Sequence, residues 1–141
     1  QLFQVKHMDD CIFCKIVKKE IPSTIIYEDD NFLAFLDIAP ANKGHTLVIP
    51  KEHHEVYTDI PEDLLKNFSV IVKKVANVVH KNLEADGFNI VMNNYKVSGQ
   101  VVPHAHFHII PRFEGDGHNF SWSHQKYEDG EADKFKEKIK L

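Results

Sequence analysis

Three things are scarce in this sequence. Cysteine occurs only twice, as Cys11 and Cys14, which excludes a disulfide framework as the means of holding a small fold together. No apolar run approaches the roughly 18 residues of a membrane span, and the first residues lack the charged-then-apolar order of a secretory leader. Basic charge is not in excess either, since 17 Lys and Arg stand against 21 Asp and Glu for a formal net charge of -4. With the basic residues scattered rather than blocked, no face is built to bind nucleic acid. The expectation is a cytoplasmic protein with neither a membrane nor a nucleic acid as partner.

What the chain does contain is enough apolar material for one core. With 141 residues, 43% of them hydrophobic, it fits a single domain and leaves no room for a second catalytic one. Residues 1–7 (QLFQVKH) carry no pattern that continues past Met8. We read them as an appended segment ahead of one domain, 8–141, that ends in a polar tail.

Residues Cys11 to Lys19 suit a short helix that stops before Pro22. Ile25 to Tyr27 reads as a brief strand, Glu28 to Asn31 as a turn, and Phe32 to Leu36 as a continuous apolar strand. Gly44 and Pro50 bound a β-branched strand over His45 to Ile49. From Glu62 to Ala85 apolar residues recur at spacings of three and four, the mark of one long amphipathic helix that starts near Pro61 and stops before Gly87. Phe88 to Met92 gives a fourth strand and Val101 to Ile110 a fifth, which Pro103 confines at its start or edge. A lysine-rich helix from about Asp129 closes the chain. The sum is an α+β fold: a mostly antiparallel five-stranded sheet, one long amphipathic helix, and short helices near the two ends.

The fifth strand carries the chemistry. His104, His106 and His108 occupy every second position, so three imidazoles project from one face while Ala105, Phe107 and Ile109 take the other. Two chemistries want such a row. Neutral imidazoles are common metal ligands, and imidazole is also a nucleophile that can divide one hard displacement at phosphorus into two easier ones. Ser98-Gly99-Gln100 just upstream offers backbone N–H groups that can approach phosphate oxygens, and Asn93 and Asn94 add uncharged donors. These donors weigh toward phosphoryl chemistry. A catalytic metal centre of the amidohydrolase kind would need further ligands on a barrel larger than this chain can form.

The strand from His104 to Ile110, preceded by Gly99-Gln100, resembles the signature of the histidine-triad (HIT) family. The likeness extends to Cys11-Ile-Phe-Cys14-Lys15, Ile21-Pro22, Tyr27-Glu28-Asp29, Ala34 to Ile38, and Gly44 to Lys51, and so covers residues 11 to 117. It implies a HIT-like fold and a homodimer paired through the long helix and the sheet edge. It also implies a nucleotide hydrolase or nucleotidyl transferase acting at the α-phosphate of purine nucleotide conjugates, such as nucleoside phosphoramidates or dinucleoside polyphosphates. The alternative is a purine-nucleotide-binding module with weak residual hydrolysis.

By the same resemblance, His106 is the nucleophile, His108 binds phosphate oxygens, His45 is a further active-site histidine, and His104 helps to hold the nucleophile's tautomer. Asp37 matches the acidic residue that takes the ribose hydroxyls. Phe13, Ile16, Phe35 and Ile38 match positions that sandwich the base, although each alone reads equally well as core. Asn93, Gly99 and Gln100 line the phosphate end with Val101, which stands where such proteins carry Ser or Thr. A hydroxyl donor to the leaving group is thereby replaced by a methyl pair, with only the backbone N–H retained.

Cys11 and Cys14 have the C-x2-C spacing of half a zinc site, and zinc takes four ligands. Two free thiols or a redox pair are the other readings of that spacing. Likeness to the zinc-containing bacterial-type branch implies that His53 and His104 complete a structural zinc site, with no catalytic metal required.

Overall fold

The structure, a computed structural model, describes residues 8–119 and 121–141. The expectation of an appended segment at 1–7 lies outside those residues. The architecture is α+β, as the sequence pattern predicts. Helix α1 spans Ile12–Val17, strands β1 and β2 span Ile25–Glu28 and Phe32–Leu36, and β3 spans Thr46–Pro50. The long helix α2 spans Glu62–Asn82, followed by β4 at Gly87–Val91, β5 at Phe107–Arg112 and a terminal helix α3 at Glu131–Ile139. The sheet order is β1-β2-β3-β5-β4, and every neighbouring pair is antiparallel.

Local chemistry explains the boundaries. The carboxylate of Asp29 accepts the N–H groups of Asn31 and Phe32, each at 2.8 Å, and so closes the β1–β2 turn. Glu62 and Asp63 lie in the first turn of α2 and His80 and Lys81 in its last, each sign at the end that the helix dipole favours. The helix ends at Asn82 rather than Ala85, because Glu84 takes a positive φ of 53° that no helix can contain.

Side-chain alternation buries both faces of the sheet. Phe32, Ala34, Val48 and Ile109 pack beneath α2 against Phe68, Ile71, Val72, Val75 and Val79. Their neighbours Leu33, Phe35, Leu47 and Ile49 pack on the other face against Phe13, Cys14 and Ile16 of α1. The second face is what a reading of one helix on one sheet leaves out. A short helix with buried side chains covers it.

The fifth strand is shorter at its start and longer at its end than its sequence suggests. It spans Phe107–Arg112 rather than Val101–Ile110. Pro103 has no N–H to offer a ladder. Further along, Ala105 N–H bonds the carbonyl of His54 at 2.7 Å instead of a strand neighbour. At the far end Pro111 is tolerated because pairing with β3 stops at Ile109, leaving only β4 alongside.

Candidate active site

Register brings the site together. The pairing of Leu36 with Thr46 sets Asp37 opposite His45 just beyond the strand ends, and Asp37 N–H donates to the His45 carbonyl at 2.9 Å. Leu47 pairs with His108, so His45, two residues before Leu47, reaches the same face as His108. Alternation persists through the unpaired residues ahead of β5. Ala105 and Phe107 pack on the α2 side, whereas the rings of His104 and His106 meet Phe13 on the α1 side. The expected shared face of the three histidines is therefore present, although only His108 lies within the strand.

The hydrogen-bond partners dictate the proton positions. Nδ1 of His106 lies 2.7 Å from the carbonyl of His104. A carbonyl only accepts, so Nδ1 carries the proton and Nε2 keeps its lone pair. Phe13 stands edge-on to this ring, with centroids 5.0 Å apart and planes at 89°. Burial holds the His106 pKa below the ordinary imidazole value, which keeps the ring neutral and nucleophilic near pH 7.

Beside it, Nδ1 of His45 accepts the Ala41 N–H at 3.0 Å, so the proton of neutral His45 sits on Nε2. That Nε2–H donates to Nδ1 of His108 at 2.9 Å, which in turn places the His108 proton on its own Nε2. Burial, then the neighbouring His106 and His45, push His108 down to about 4. Asp37 approaches His45 Nε2 at 3.7 Å. The arrangement is a neutral nucleophile next to a directed chain of N–H donors.

A second group lies behind the first. Cys11, Cys14, His53 and His104 bring their ligand atoms within 4.8 Å of one another. Nδ1 of His104 is 3.4 Å from Cys11 Sγ and 3.6 Å from Cys14 Sγ, and His53 Nδ1 is 3.3 Å from Cys14 Sγ. Four ligands arranged tetrahedrally on one zinc ion stand roughly 3.3–3.8 Å apart, so these spacings fit such an ion. Nε2–H of the fully buried His104 donates to the Pro50 carbonyl at 2.8 Å. This leaves Nδ1 as a lone pair aimed at the thiols, the outer-sphere pattern of a metal-binding histidine. Asp37, His45 and His108 also cluster, but the Nε2 of His45 must carry a proton and is no ligand. Of these two groups, the cysteine-containing one has the donor set and spacing that suit a metal.

The remaining predicted residues divide. Phe13, Ile16 and Phe35 are buried in the α1-side core, while Ile38 is 96% exposed. Gln100 is buried and both ends are occupied: Oε1 accepts Tyr95 N–H and Nε2 donates to the Glu55 carbonyl, each at 2.7 Å. It clamps the 95–100 loop, where Tyr95 holds a positive φ of 68°. A side chain at Gly99, whose φ is +110°, would come within 3.4 Å of the Asn93 amide, so these two residues lie against each other. Val101 is 89% exposed. His54 is half-buried with its Nε2 3.0 Å from the Glu52 carboxylate, and Trp122 is exposed. The sequence gives no sign of the carbonyls of His104 and Pro50 or of the Ala41 N–H, because backbone groups look alike at every position.

The HIT domain model matches residues 18–115. A HIT-like protein of Methanocaldococcus jannaschii is 60% identical over 107 residues, 76% of this chain and 82% of that one. An adenosine 5'-monophosphoramidase of Saccharomyces cerevisiae is 44% identical over 117 residues, 82% of this chain and 72% of that one. A crystal structure from Streptococcus mutans aligns with a TM-score of 0.88 at 42% identity, over 94% of this chain and 84% of that one. A zinc-bound histidine triad family protein from Mycobacterium smegmatis aligns with a TM-score of 0.74 at 42% identity, over 81% and 83%. Fold, motif and likeness converge on one assignment: the chain belongs to the HIT domain family.

Proposed function

We propose that this protein hydrolyses purine nucleotide conjugates at the α-phosphate through a nucleotidyl-histidine intermediate on His106. The observation that carries the reading is the bond from His106 Nδ1–H to the His104 carbonyl. It leaves Nε2 as the one lone pair of a neutral, buried ring. Support for the substrate class comes from the yeast relative, an adenosine 5'-monophosphoramidase.

For a phosphoramidate, His106 Nε2 attacks the α-phosphorus as the P–N bond to the leaving amine breaks, and the amine takes up a proton from solvent. Water then attacks the same phosphorus and gives a proton back to solvent, the bond to Nε2 breaks, and the mononucleotide leaves with His106 neutral again. The Nε2–H of His108 is the donor for a non-bridging phosphate oxygen, where negative charge grows in each transition state. Asp37 accepts the ribose hydroxyls at the mouth of the site. The base rests against exposed Ile38 and the edge of the Phe13, Ile16 and Phe35 cluster. Asn93, Gly99, Gln100 and Val101 border the leaving group.

Zinc bound by Cys11, Cys14, His53 and His104 would be structural, with closed coordination and no place for substrate. The zinc-bound mycobacterial relative supports this. We also read the protein as a homodimer joined along α2 and the edge strand β4, where Val70, Val78, Phe88 and Ile90 are exposed. Among the described residues no helix is long and apolar enough to cross a membrane. Two cysteines that form no disulfide suit a reducing cytoplasm.

The test is AMP release from adenosine phosphoramidate and from a dinucleoside polyphosphate, with wild type beside His106→Ala. Release that vanishes in the variant is expected, and the faster substrate names the leaving-group class. Wild type that binds AMP but releases none from either substrate would overturn the reading in favour of a binding module.

A further inference from the structure

His118 lies after the last strand, in a segment whose composition reads as polar tail. Its ring is tied back to the site. Nε2–H of His118 donates to the carbonyl of Ala41 at 2.8 Å, and the N–H of that same residue donates to Nδ1 of His45 at 3.0 Å. His45 then donates to His108 at 2.9 Å. Three successive hydrogen bonds thus run from an exposed histidine to the residue that faces the phosphate.

The far end of this chain is firmly held. Asp116 accepts from Arg112 through Nε at 2.8 Å and Nη2 at 3.1 Å. It also accepts the N–H of Phe113 at 3.1 Å and of His118 at 3.0 Å, while Arg112 Nη2 donates to the His118 carbonyl at 2.9 Å. Asn42, next to Ala41, donates to the Pro111 carbonyl at 2.8 Å and to Asp116 at 3.0 Å. The loop that carries Ala41 is therefore tethered at two adjacent residues to one charged turn. Asn42 holds the loop through its side-chain amide, and His118 holds it through the Ala41 carbonyl.

We propose that His118 is a positioning residue: its bond to the Ala41 carbonyl orients the Ala41 N–H that keeps His45 protonated on Nε2, and with it the direction of donation into His108. If Ala41 turned away, Nδ1 of His45 could take the proton. Nε2 would then accept rather than donate, and His108 would lose its fixed tautomer. The effect belongs to chemistry more than to folding. His118 is exposed, so water can satisfy the Ala41 carbonyl in its absence at little cost in stability.

This inference rests on the reading of His108 as the phosphate donor, and it is tested by two readouts on the zinc-loaded protein. The first is the imidazole nitrogen–proton NMR correlation of His45 and His108 in wild type, His118→Ala and His118→Gln. The second is kcat and KM for adenosine phosphoramidate. Glutamine keeps an N–H near the position of Nε2, so it is the conservative variant. We expect the Ala variant to show mixed tautomers at His45 and a kcat lower by about tenfold with KM little changed, and the Gln variant to recover most of both. A His45 still wholly Nε2-protonated in His118→Ala overturns the proposal whatever the kinetics, and so does a mixed tautomer with kcat unaltered. If wild type turns over no substrate, the catalytic reading has failed, and the NMR result alone decides whether His118 sets the tautomer.

Discussion

The main-chain carbonyl of His104 accepts the Nδ1–H of His106 at 2.7 Å, while the ring of His104 faces Cys11 and Cys14. One residue therefore belongs to both groups, with its side chain in the cysteine cluster and its backbone bonded to the ring of His106. A shift of the His104 backbone is therefore felt by both groups.

Removal of the metal is the direct check of that coupling. The expected content is about one zinc per chain as purified, lost in Cys14→Ala. Chelation should lower the melting temperature and also depress turnover, although the four proposed ligands leave zinc no open position. Elemental analysis with melting curves and AMP release before and after zinc return would measure this. Full activity in zinc-free protein would sever the link between the cysteine cluster and His106.

The pH dependence of stability follows from the buried donor chain. His108 is pushed down to about 4 and His45 is also lowered, both chiefly by burial. Between about pH 6.5 and 4 the unfolded chain binds protons that the folded one refuses, so stability falls as pH falls through that window and is fully present above it. Urea unfolding midpoints should be flat from about pH 8 to 7 and decline below about 6.5. His108→Asn should have a shallower decline, and an equal slope in the two proteins would count against the assignment.

Phe68 supports the site from the opposite face. It is fully buried, stacks on Phe32 at 5.4 Å and meets the ring of Phe107 at 5.1 Å, and Phe107 separates His106 from His108. Truncation to Ala should cost roughly 3–5 kcal/mol, read by denaturant unfolding. The same change should reduce kcat by loosening the strand. A cost below about 1 kcal/mol would mean that the cavity collapses around the loss.

Ile90 lies on the edge strand β4 and is exposed. A charge there should split the proposed dimer, so light scattering of Ile90→Lys is expected to give the monomer mass where wild type gives twice that. Identical masses would place the interface elsewhere.

Much of this was legible in the residues. The strands around Phe32 to Leu36 and Thr46 to Pro50 follow from short apolar, β-branched runs bounded by turn residues, and the long helix and the histidine row follow from periodicity. The C-x2-C spacing announced the cysteine cluster, although not its partners. What the sequence hid was of two kinds. The start of β5 moved from Val101 to Phe107 because a distant carbonyl, that of His54, took the donor of Ala105. The tautomers of His45 and His106 rest on the backbone of Ala41 and His104, and no side-chain pattern records where a peptide group will point.

Alternation also sets what the site can survive. The imidazoles of His104, His106 and His108 share a face only because one residue separates each from the next. With the rest of β5 held in register, one residue inserted between Phe107 and His108 would carry His106 to the Phe68 side and put the ring of Phe107 in its place. Val101 and Ile38 are exposed and lie outside this alternation, so a substitution at either leaves the histidine row as it is. Point changes at such positions keep the three imidazoles in register, whereas a change of length between His104 and His108 divides them between the two faces of the sheet.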